Sequence, residues 1–385
     1  MNLQERQHFS TLLEHLAESL DIPDDLREQV EERYHEICDH LGAEDSSLRD
    51  YDPELYPQGS FALGTVVRPI TEEDDYDIDL VCRLDIEKEN TTQQELKDRV
   101  GDRLSERKDL EEILTERRRC WRLDFDEGFH MDVLPAIPDE DGTPKSILIT
   151  DRELRLWQHS NPKDYAAWFR KQMERVFKRQ KLVLAESFRM SVDDIPDYQV
   201  KTPLQRAVQL LKRHRDLHFQ NDPDDKPVSI ILTTLAAKAY SNEDLLYDAL
   251  RAIVHDMPDY IERRKGKWWV PNPVNDKENF ADKWNEYPER REKFMAWLDK
   301  VESDFEDILR SRGADLMESM KPIFGTGAVN KAARRMGANY LHQAQSGSLR
   351  MAHTTGTISS AASAVAASTP VPKHTFYGGP ENKAH

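Results

Sequence analysis

The chain has 385 residues, 38% hydrophobic and 33% charged, with a mean hydropathy of −0.77. It can bury a substantial core but has no apolar run near the roughly 18 residues of a membrane span, which excludes a membrane protein and a disulfide-stapled miniprotein. Acidic residues number 72 against 54 basic ones, a formal net charge of −18, so dedicated duplex nucleic-acid binding is disfavoured unless basic groups cluster locally.

Residues 3–42 carry apolar positions at helical spacing, Phe9, Leu12, Leu13, Leu16 and Leu20, then Leu26, Val30, Tyr34 and Ile37, broken by Pro23. This pattern predicts two helices. A polar, proline-bearing stretch leads to QGSFALGTVV and, past the acidic turn TEEDD, to YDIDLVCRL. Strand alternation turns Ile78, Leu80 and Cys82 one way and Asp77, Asp79 and Val81 the other. Residues 92–118 read as helical. CWRLDF, the turn DEG and FHMDVLPAI read as a β-hairpin with Asp132 in its second strand.

Residues 150–190 are helical in character, with Trp157, Trp168, Phe169 and Val176 as expected core contacts. From Pro203 the chain is mainly helical: LQRAVQLLKRHRDLHF, SIILTTLAAKAY, and segments near 244–263, 279–300 and 301–320. The expected fold class is α+β, a mixed-sheet lobe over 1–200 packed against a mainly helical lobe over 201–344. From 345 to 385 small residues dominate and a flexible tail is expected. Its aromatic cluster, Phe376 and Tyr377 beside Gly378 and Gly379, reads either as a disordered terminus or as a short docking motif.

The chemistry concentrates in the first lobe. Gly59-Ser60, with Gly64 and Thr65 behind, can offer backbone N–H groups to phosphate oxygens. Asp77 and Asp79 share a strand face flanked by apolar residues, where unpaired charge is costly. Asp132, on a strand that can lie alongside, adds a third carboxylate. Three converging carboxylates repel one another unless cations sit among them, and hard oxygen ligands describe Mg²⁺ or Mn²⁺. The pattern suits phosphoryl transfer assisted by two ions.

The order QGSFALGT, DYDIDLV, HMDVLPAI resembles the nucleotidyltransferase superfamily of DNA polymerase β, 2′-5′ oligoadenylate synthetase and cyclic GMP-AMP synthase. PLQRAVQLLKRHRDLHF, PVSIILTTLAAKAY and NPVNDKENFADKW look like the helical half of the bacterial cyclic GMP-AMP synthase/DncV-like enzymes, the CD-NTases, over roughly residues 1–340. The resemblance implies a polymerase-β-like catalytic lobe that joins ribonucleoside triphosphates, ATP among them, into a cyclic di- or trinucleotide second messenger. Pyrophosphate would be released, and an effector protein would read the product in anti-phage defence. It implies Asp77, Asp79 and Asp132 as metal ligands, with Asp132 also drawing the proton from the attacking hydroxyl. Gln58, Gly59, Ser60, Lys212 and Ser229 are implied nucleotide contacts, and an accessory regulator acting on the tail is implied for some members. The alternatives are a transferase that modifies an RNA, protein or small molecule, and a silent nucleotide-binding scaffold.

Several residues keep two readings. Helical spacing puts Lys212 near the border of the stripe Leu204, Val208, Leu211 and Arg215, where it would be an ordinary exposed lysine without the resemblance. Arg213, His214 and Arg215 suit a triphosphate pocket or a solvated surface. His130 reads as a border of the site or as a local hydrogen bonder, and Trp268 and Trp269 as a base-stacking pair or as core. Asp74 and Asp75 compete with the two strand aspartates, and the alternation favours Asp77 and Asp79. A zinc site is not expected. Cys38, Cys82 and Cys120 lack CxxC spacing and read as structural thiols. The amino terminus lacks the pattern of a secretory signal, which predicts a cytoplasmic location.

Overall fold

A computed structural model describes residues 2–71, 74–151, 153, 157–311, 314–352, 358–360 and 368–370. The expected opening pair is α1 (Leu3–Ser19) and α2 (Asp24–Gly42), with Pro23 at the start of the second. Asn2 and Glu5 form a reciprocal cap, each side chain accepting from the other's backbone N–H, which satisfies two donors that a helix start leaves open.

The sheet lobe follows. It comprises β1 (Glu54–Pro57), α3 (Gly59–Leu63), β2 (Tyr76–Arg83), α4 (Gln93–Ser105), α5 (Lys108–Glu111), β3 (Leu114–Glu116), β4 (Trp121–Phe125), β5 (Phe129–Pro138), β6 (Ile147–Ile149) and β7 (Gln158–Ser160). The end of the helical stretch expected over 92–118 is therefore strand β3, because Leu114–Glu116 completes the sheet edge against β4. Likewise, the start of 150–190 is not helix. The order is β1-β2-β5-β4-β3, with β6 and β7 continuing from the far end of β5. Only the central pair, β2 with β5, is parallel; its crossover runs through α4, as parallel pairing requires.

The alternation along β2 and β5 fixes the faces. Ile78, Leu80, Met131 and Val133 are fully or almost fully buried beneath α2 and α4, in one core with Val30, Ile37, Leu96 and Val100. The opposite face carries the polar partners.

The remaining helices are α6 (Pro162–Phe188), α7 (Pro203–His218), α8 (Ser229–Ala239), α9 (Leu246–Asp256), α10 (Lys283–Glu286), α11 (Pro288–Arg310), α12 (Ala314–Phe324) and α13 (Thr326–Ser346). Between α9 and α10 lie two small hairpins, β8 (Glu262–Arg264) with β9 (Lys267–Trp269) and β10 (Pro271–Asn272) with β11 (Asn275–Asn279). Their second core takes Phe9, Leu12, Leu13 and Leu16 from α1 and Phe169 and Val176 from α6, besides α7–α13. Trp168 packs on this core and Trp157 on the sheet core, both only partly buried.

At the carboxy end α13 runs to Ser346, and β12 (Leu349–Ala352), β13 (Ile358–Ser360) and β14 (Ser368–Pro370) pair antiparallel about β12. This part of the expected tail is thus strand. The aromatic cluster at Phe376 and Tyr377 lies outside the described residues. Among the described residues no helix is long and apolar enough to cross a membrane.

Candidate active site

Register builds the site. In the parallel pair Asp77 stands opposite His130 and Asp79 opposite Asp132, and in the hairpin Arg122 stands opposite Asp132. Partners across a ladder project to one face, so three strands deliver two aspartates, an aspartate with a histidine, and an arginine to one patch. His130 Nε2 pairs with Asp77 Oδ1 at 2.9 Å. One ligand atom from each of Asp77, His130 and Asp132 lies within 4.8 Å of the others.

Arg122 was not foreseen. Its Nε and Nη2 donate to the two oxygens of Asp132 at 2.7 and 2.8 Å, and Nη2 lies 3.8 Å from Asp77 Oδ1. The hairpin held the signal: counting back from the closing pair Phe125/Phe129 sets Arg122 opposite Asp132. That bidentate pairing pushes the Arg122 guanidinium further above its ordinary value.

The three carboxylates differ. Burial works to raise the Asp77 carboxyl, but the hydrogen bond and charge of His130 and the charge of Arg122 outweigh it and hold it below the usual range. Asp79 is pushed up to about 7, first by burial and then by the charges of Asp77 and Asp132, with His130 and Lys212 opposing. A buried carboxyl raised by two neighbouring carboxylates, with a guanidinium already drawn among them, fits a divalent cation held by oxygen ligands. Asp74 and Asp75 are exposed, and Asp74 accepts from Thr71 Oγ1 at 2.8 Å.

Gly59 lies against Asp79. Its φ is +59°, and a Cβ there would stand 2.5 Å from Asp79 Oδ2, so both the backbone and the space demand glycine. Gln58 N–H donates to Asp79 O at 2.9 Å and Thr65 N–H to Ser60 O at 2.9 Å, which folds the QGS segment over the end of β2.

Beyond it, the segment from Leu63 to Pro69 is tied to α7 and the residue just before its cap. Lys201 Nζ donates to Gly64 O at 2.9 Å, Gln205 Nε2 to Leu63 O at 2.9 Å and Gln209 Nε2 to Val66 O at 2.8 Å. Lys212 Nζ reaches Thr65 O at 3.1 Å, and Arg213 reaches Arg68 O at 2.5 Å.

This corrects the reading of Lys212 as a border residue: it is buried, and its amine is spent on Thr65. Burial, then the charge of Arg215, pulls it down to about 7 against the pull of Asp216 and Asp79. The solvated reading of its neighbours also falls. Arg213 is spent on the loop, while His214 pairs with Asp304 at 3.1 Å and accepts from Trp297 Nε1 at 3.0 Å. Arg215 donates to Pro227 O and Ser229 Oγ. Ser229 is exposed and takes that bond at 2.9 Å. The apolar stripe Leu204, Val208 and Leu211 is there as its period predicts, but the polar residues of α7 beside it are buried alike.

A cavity of about 310 Å³ opens beside Asp79, lined by Gln58, Gly59 and Asp79 from the sheet lobe and by Tyr165, Ile230, Asn272, Glu278 and Phe280 from the helical part. Neither Lys212 nor Ser229 lines it. Trp268 is held between Arg263 and Arg291, and Trp269 lies against Arg264. Cys82 and Cys120 are buried, their thiols pushed up to about 12 chiefly by burial, as structural thiols are.

A parallel strand pair that sets aspartates side by side beneath a glycine turn, facing a helical lobe across a cleft, is the architecture of polymerase-β-like nucleotidyltransferases. Residues 3–172 match the Second Messenger Oligonucleotide or Dinucleotide Synthetase domain. A c-di-GMP synthase of Roseivirga ehrenbergii is 30% identical over 367 residues, 94% of this chain and 95% of that protein. The fold matches the structure of the CD-NTase CdnG of Bradyrhizobium diazoefficiens in complex with GTP, at a TM-score of 0.70 and 21% identity over 85% of this chain and 99% of that one. It also matches CdnC of Escherichia coli in a CdnC:HORMA complex, at 0.58 and 15% over 82% and 96%. The chain belongs to the bacterial cyclic GMP-AMP synthase/DncV-like nucleotidyltransferases, and it is a synthase of cyclic oligonucleotides. Its family is dependent on divalent metal.

Proposed function

We propose that the chain joins two molecules of GTP into c-di-GMP with release of two pyrophosphates, using Asp77, Asp79 and Asp132 to hold two Mg²⁺ or Mn²⁺ ions. The observation that carries the site is the register of β2 with β5, which stands Asp79 beside Asp132 on one sheet face. The product is supported by the Roseivirga synthase, similar along nearly the whole chain. Divalent ions, when bound, supply Lewis acidity and stabilise the charge that develops on the leaving phosphates.

In each of the two steps a ribose hydroxyl oxygen bonds to an α-phosphorus, the bond to the bridging oxygen breaks, and pyrophosphate leaves. Asp132 accepts the hydroxyl proton once Arg122 has released its oxygens. His130 holds the Asp77 carboxylate in one orientation. Gln58, Gly59 and Ser60 bring the triphosphate over Asp79, where any side chain at position 59 would intrude. Lys212 acts from behind, by holding Thr65 and by setting its charge toward Asp79. Ser229 acts on the same terms, by seating Arg215 at the start of α8.

The product would serve a separate effector in anti-phage signalling, and the tail would be the handle for an accessory protein. The E. coli CdnC structure is that of a CdnC:HORMA complex.

The test is to incubate the purified chain with all four labelled ribonucleotides and Mg²⁺ or Mn²⁺, treat with phosphatase, and analyse resistant products by mass spectrometry. A cyclic product containing only guanosine, absent from the Asp77→Asn/Asp79→Asn double variant, is expected. A resistant product without guanosine would overturn the c-di-GMP reading, and turnover by the double variant would overturn the site.

A further inference from the structure

The cavity lined by Asp79 also carries a polar pair that the reaction described above does not use. Asn272, on β10, is 5% exposed, and Glu278, on the paired strand β11, is half-buried. Asn272 Oδ1 accepts from Val274 N–H at 3.0 Å, so its amide cannot turn, and its Nδ2 donates to Glu278 Oε2 at 2.7 Å. The hairpin is itself fastened: Asn279 accepts from Val270 N–H at 2.8 Å and donates to Trp268 O at 2.9 Å.

Glu278 thus lines the cavity with one oxygen pinned by Asn272 and the other oriented by it. Among the described residues no lysine or arginine pairs with it, and His159, whose charge reaches it, has its Nδ1 committed to Asp139 at 2.6 Å. Burial holds the carboxyl above its usual range. A carboxylate accepts and does not donate, and two oxygens with about four lone-pair sites still have room after the one bond from Asn272. Beside it the walls are apolar: Ala166, Ile230, and the Phe280 and Tyr165 rings, whose centroids are 6.2 Å apart at 75°. Such a slot suits a flat heterocycle bearing N–H donors on one edge.

We infer that Glu278, held by Asn272, reads the Watson–Crick edge of a guanine and selects GTP at this cavity. Guanine offers adjacent donors there, N1–H and the exocyclic N2–H₂, which match the two carboxylate oxygens. Adenine and cytosine each offer one amino donor, N6–H₂ or N4–H₂, beside the acceptor N1 or N3 that repels the second carboxylate oxygen, and uracil offers a single N–H between two carbonyls. A site built to accept such bonds discriminates well, because the wrong base leaves a desolvated charge without its donors. The inference rests on the guanosine-using reading above.

The fixed amide gives the test a sign. Because Asn272 must donate to residue 278, glutamine at that position turns its oxygen to Asn272 and presents its NH₂ to the cavity. Glu278→Gln should therefore weaken guanine and favour adenine, a reversal that mere loss of packing would not produce. The measurement is calorimetric binding of non-hydrolysable GTP, ITP, ATP and 3′-deoxy-GTP analogues to the full chain with Mg²⁺. ITP lacks only the 2-amino group. The native chain is expected to prefer GTP to ITP about tenfold, the lower end of what a paired base contact is worth. In Glu278→Gln that ratio should fall to about one while ATP binds more tightly.

Equal binding of GTP and ITP by the native chain, or an unchanged ratio in the variant, would overturn the assignment. So would a variant that loses the 3′-hydroxyl preference and keeps the base preference, which would make Glu278 a ribose contact. If the glutamine chain does not fold, Glu278→Asp keeps the charge, withdraws it by one methylene, and is expected to lose the same GTP/ITP ratio. Mass analysis of the native product separates the two failures. A c-di-GMP product with an unchanged ratio sinks this inference alone, whereas a product without guanosine sinks the reading beneath it as well.

Discussion

At the residue scale the site is a balance of like charges. Asp79 is pushed upward by burial and then by the charges of its neighbours, so in metal-free protein stability falls as pH rises from the unfolded carboxylate value near 3.8 through about 7. Asp79→Asn removes that loss. In EDTA at neutral pH it is expected to stabilise the chain by roughly 2–4 kcal/mol while abolishing pyrophosphate release; a lower melting temperature would contradict the repulsion argument. Arg122 works in the opposite sense, as the cation already present among the carboxylates. Arg122→Met should lower the apo melting temperature, with a loss of roughly 1–3 kcal/mol, and tighten Mn²⁺ binding, since no guanidinium competes. Titration calorimetry with Mn²⁺ checks this, and an unchanged affinity would show that Arg122 does not occupy the cation's place. Gly59→Ala drives a methyl into Asp79 Oδ2 and is expected to reduce kcat/KM at least a hundredfold in steady-state kinetics; near-native turnover would show that the close approach of residue 59 to Asp79 does not matter.

Among the described elements, α7 buries more polar residues than any other. Lys201, just ahead of it, is pulled down to about 8 by burial, the charge of Asp21 opposing, and its amine sits on Gly64 O. Between pH 8 and 10.5 the unfolded chain binds the proton that the folded chain has lost, so stability rises with pH across that window. Lys212, pulled down to about 7, adds to the slope over the same window, so Lys201→Met should reduce it by its own share, on the order of 3 kcal/mol from end to end, in denaturation curves taken every half pH unit; an undiminished slope assigns the effect elsewhere. The strands were legible because alternation in YDIDLV and HMDVL separates carboxylates from aliphatic residues, and the hairpin because DEG marks its turn. On α7 the apolar stripe of Leu204, Val208 and Leu211 was legible, and the burial of the polar residues around it was not. A helix buried on all sides has no hydrophilic face to read, and the partners of its polar residues are main-chain carbonyls that no side-chain pattern announces. The Asn272–Glu278 pair was missed for a related reason, since two residues of a short irregular hairpin acquire meaning only from the cavity they border.

For the whole molecule, the two cores do not divide the chain at one point. α1 and α6 pack with α7–α13, whereas α2 packs on the sheet, so the chain crosses between lobes more than once and the cleft is bounded by both. The β12–β14 sheet follows α13, away from the carboxylates in sequence. Removing residues 347–385 is expected to leave basal product formation intact and to abolish any response to an accessory protein; loss of basal turnover would place the tail in the catalytic body instead. The ties between α7 and the Leu63–Pro69 segment also bear on how such a chain drifts over generations. Their acceptors are peptide carbonyls, which every amino acid supplies, so a mutation in the loop leaves most of the bonds standing, Gly64 with its positive φ being the exception. The donors are particular side chains, Lys201, Gln205, Gln209, Lys212 and Arg213, and none has a neutral substitute. Selection should therefore weigh on the donors of the helix at least as heavily as on the loop it holds, and in the loop on Gly64, the buried Thr65 and its apolar neighbours Leu63 and Val66 rather than on the carbonyls that accept.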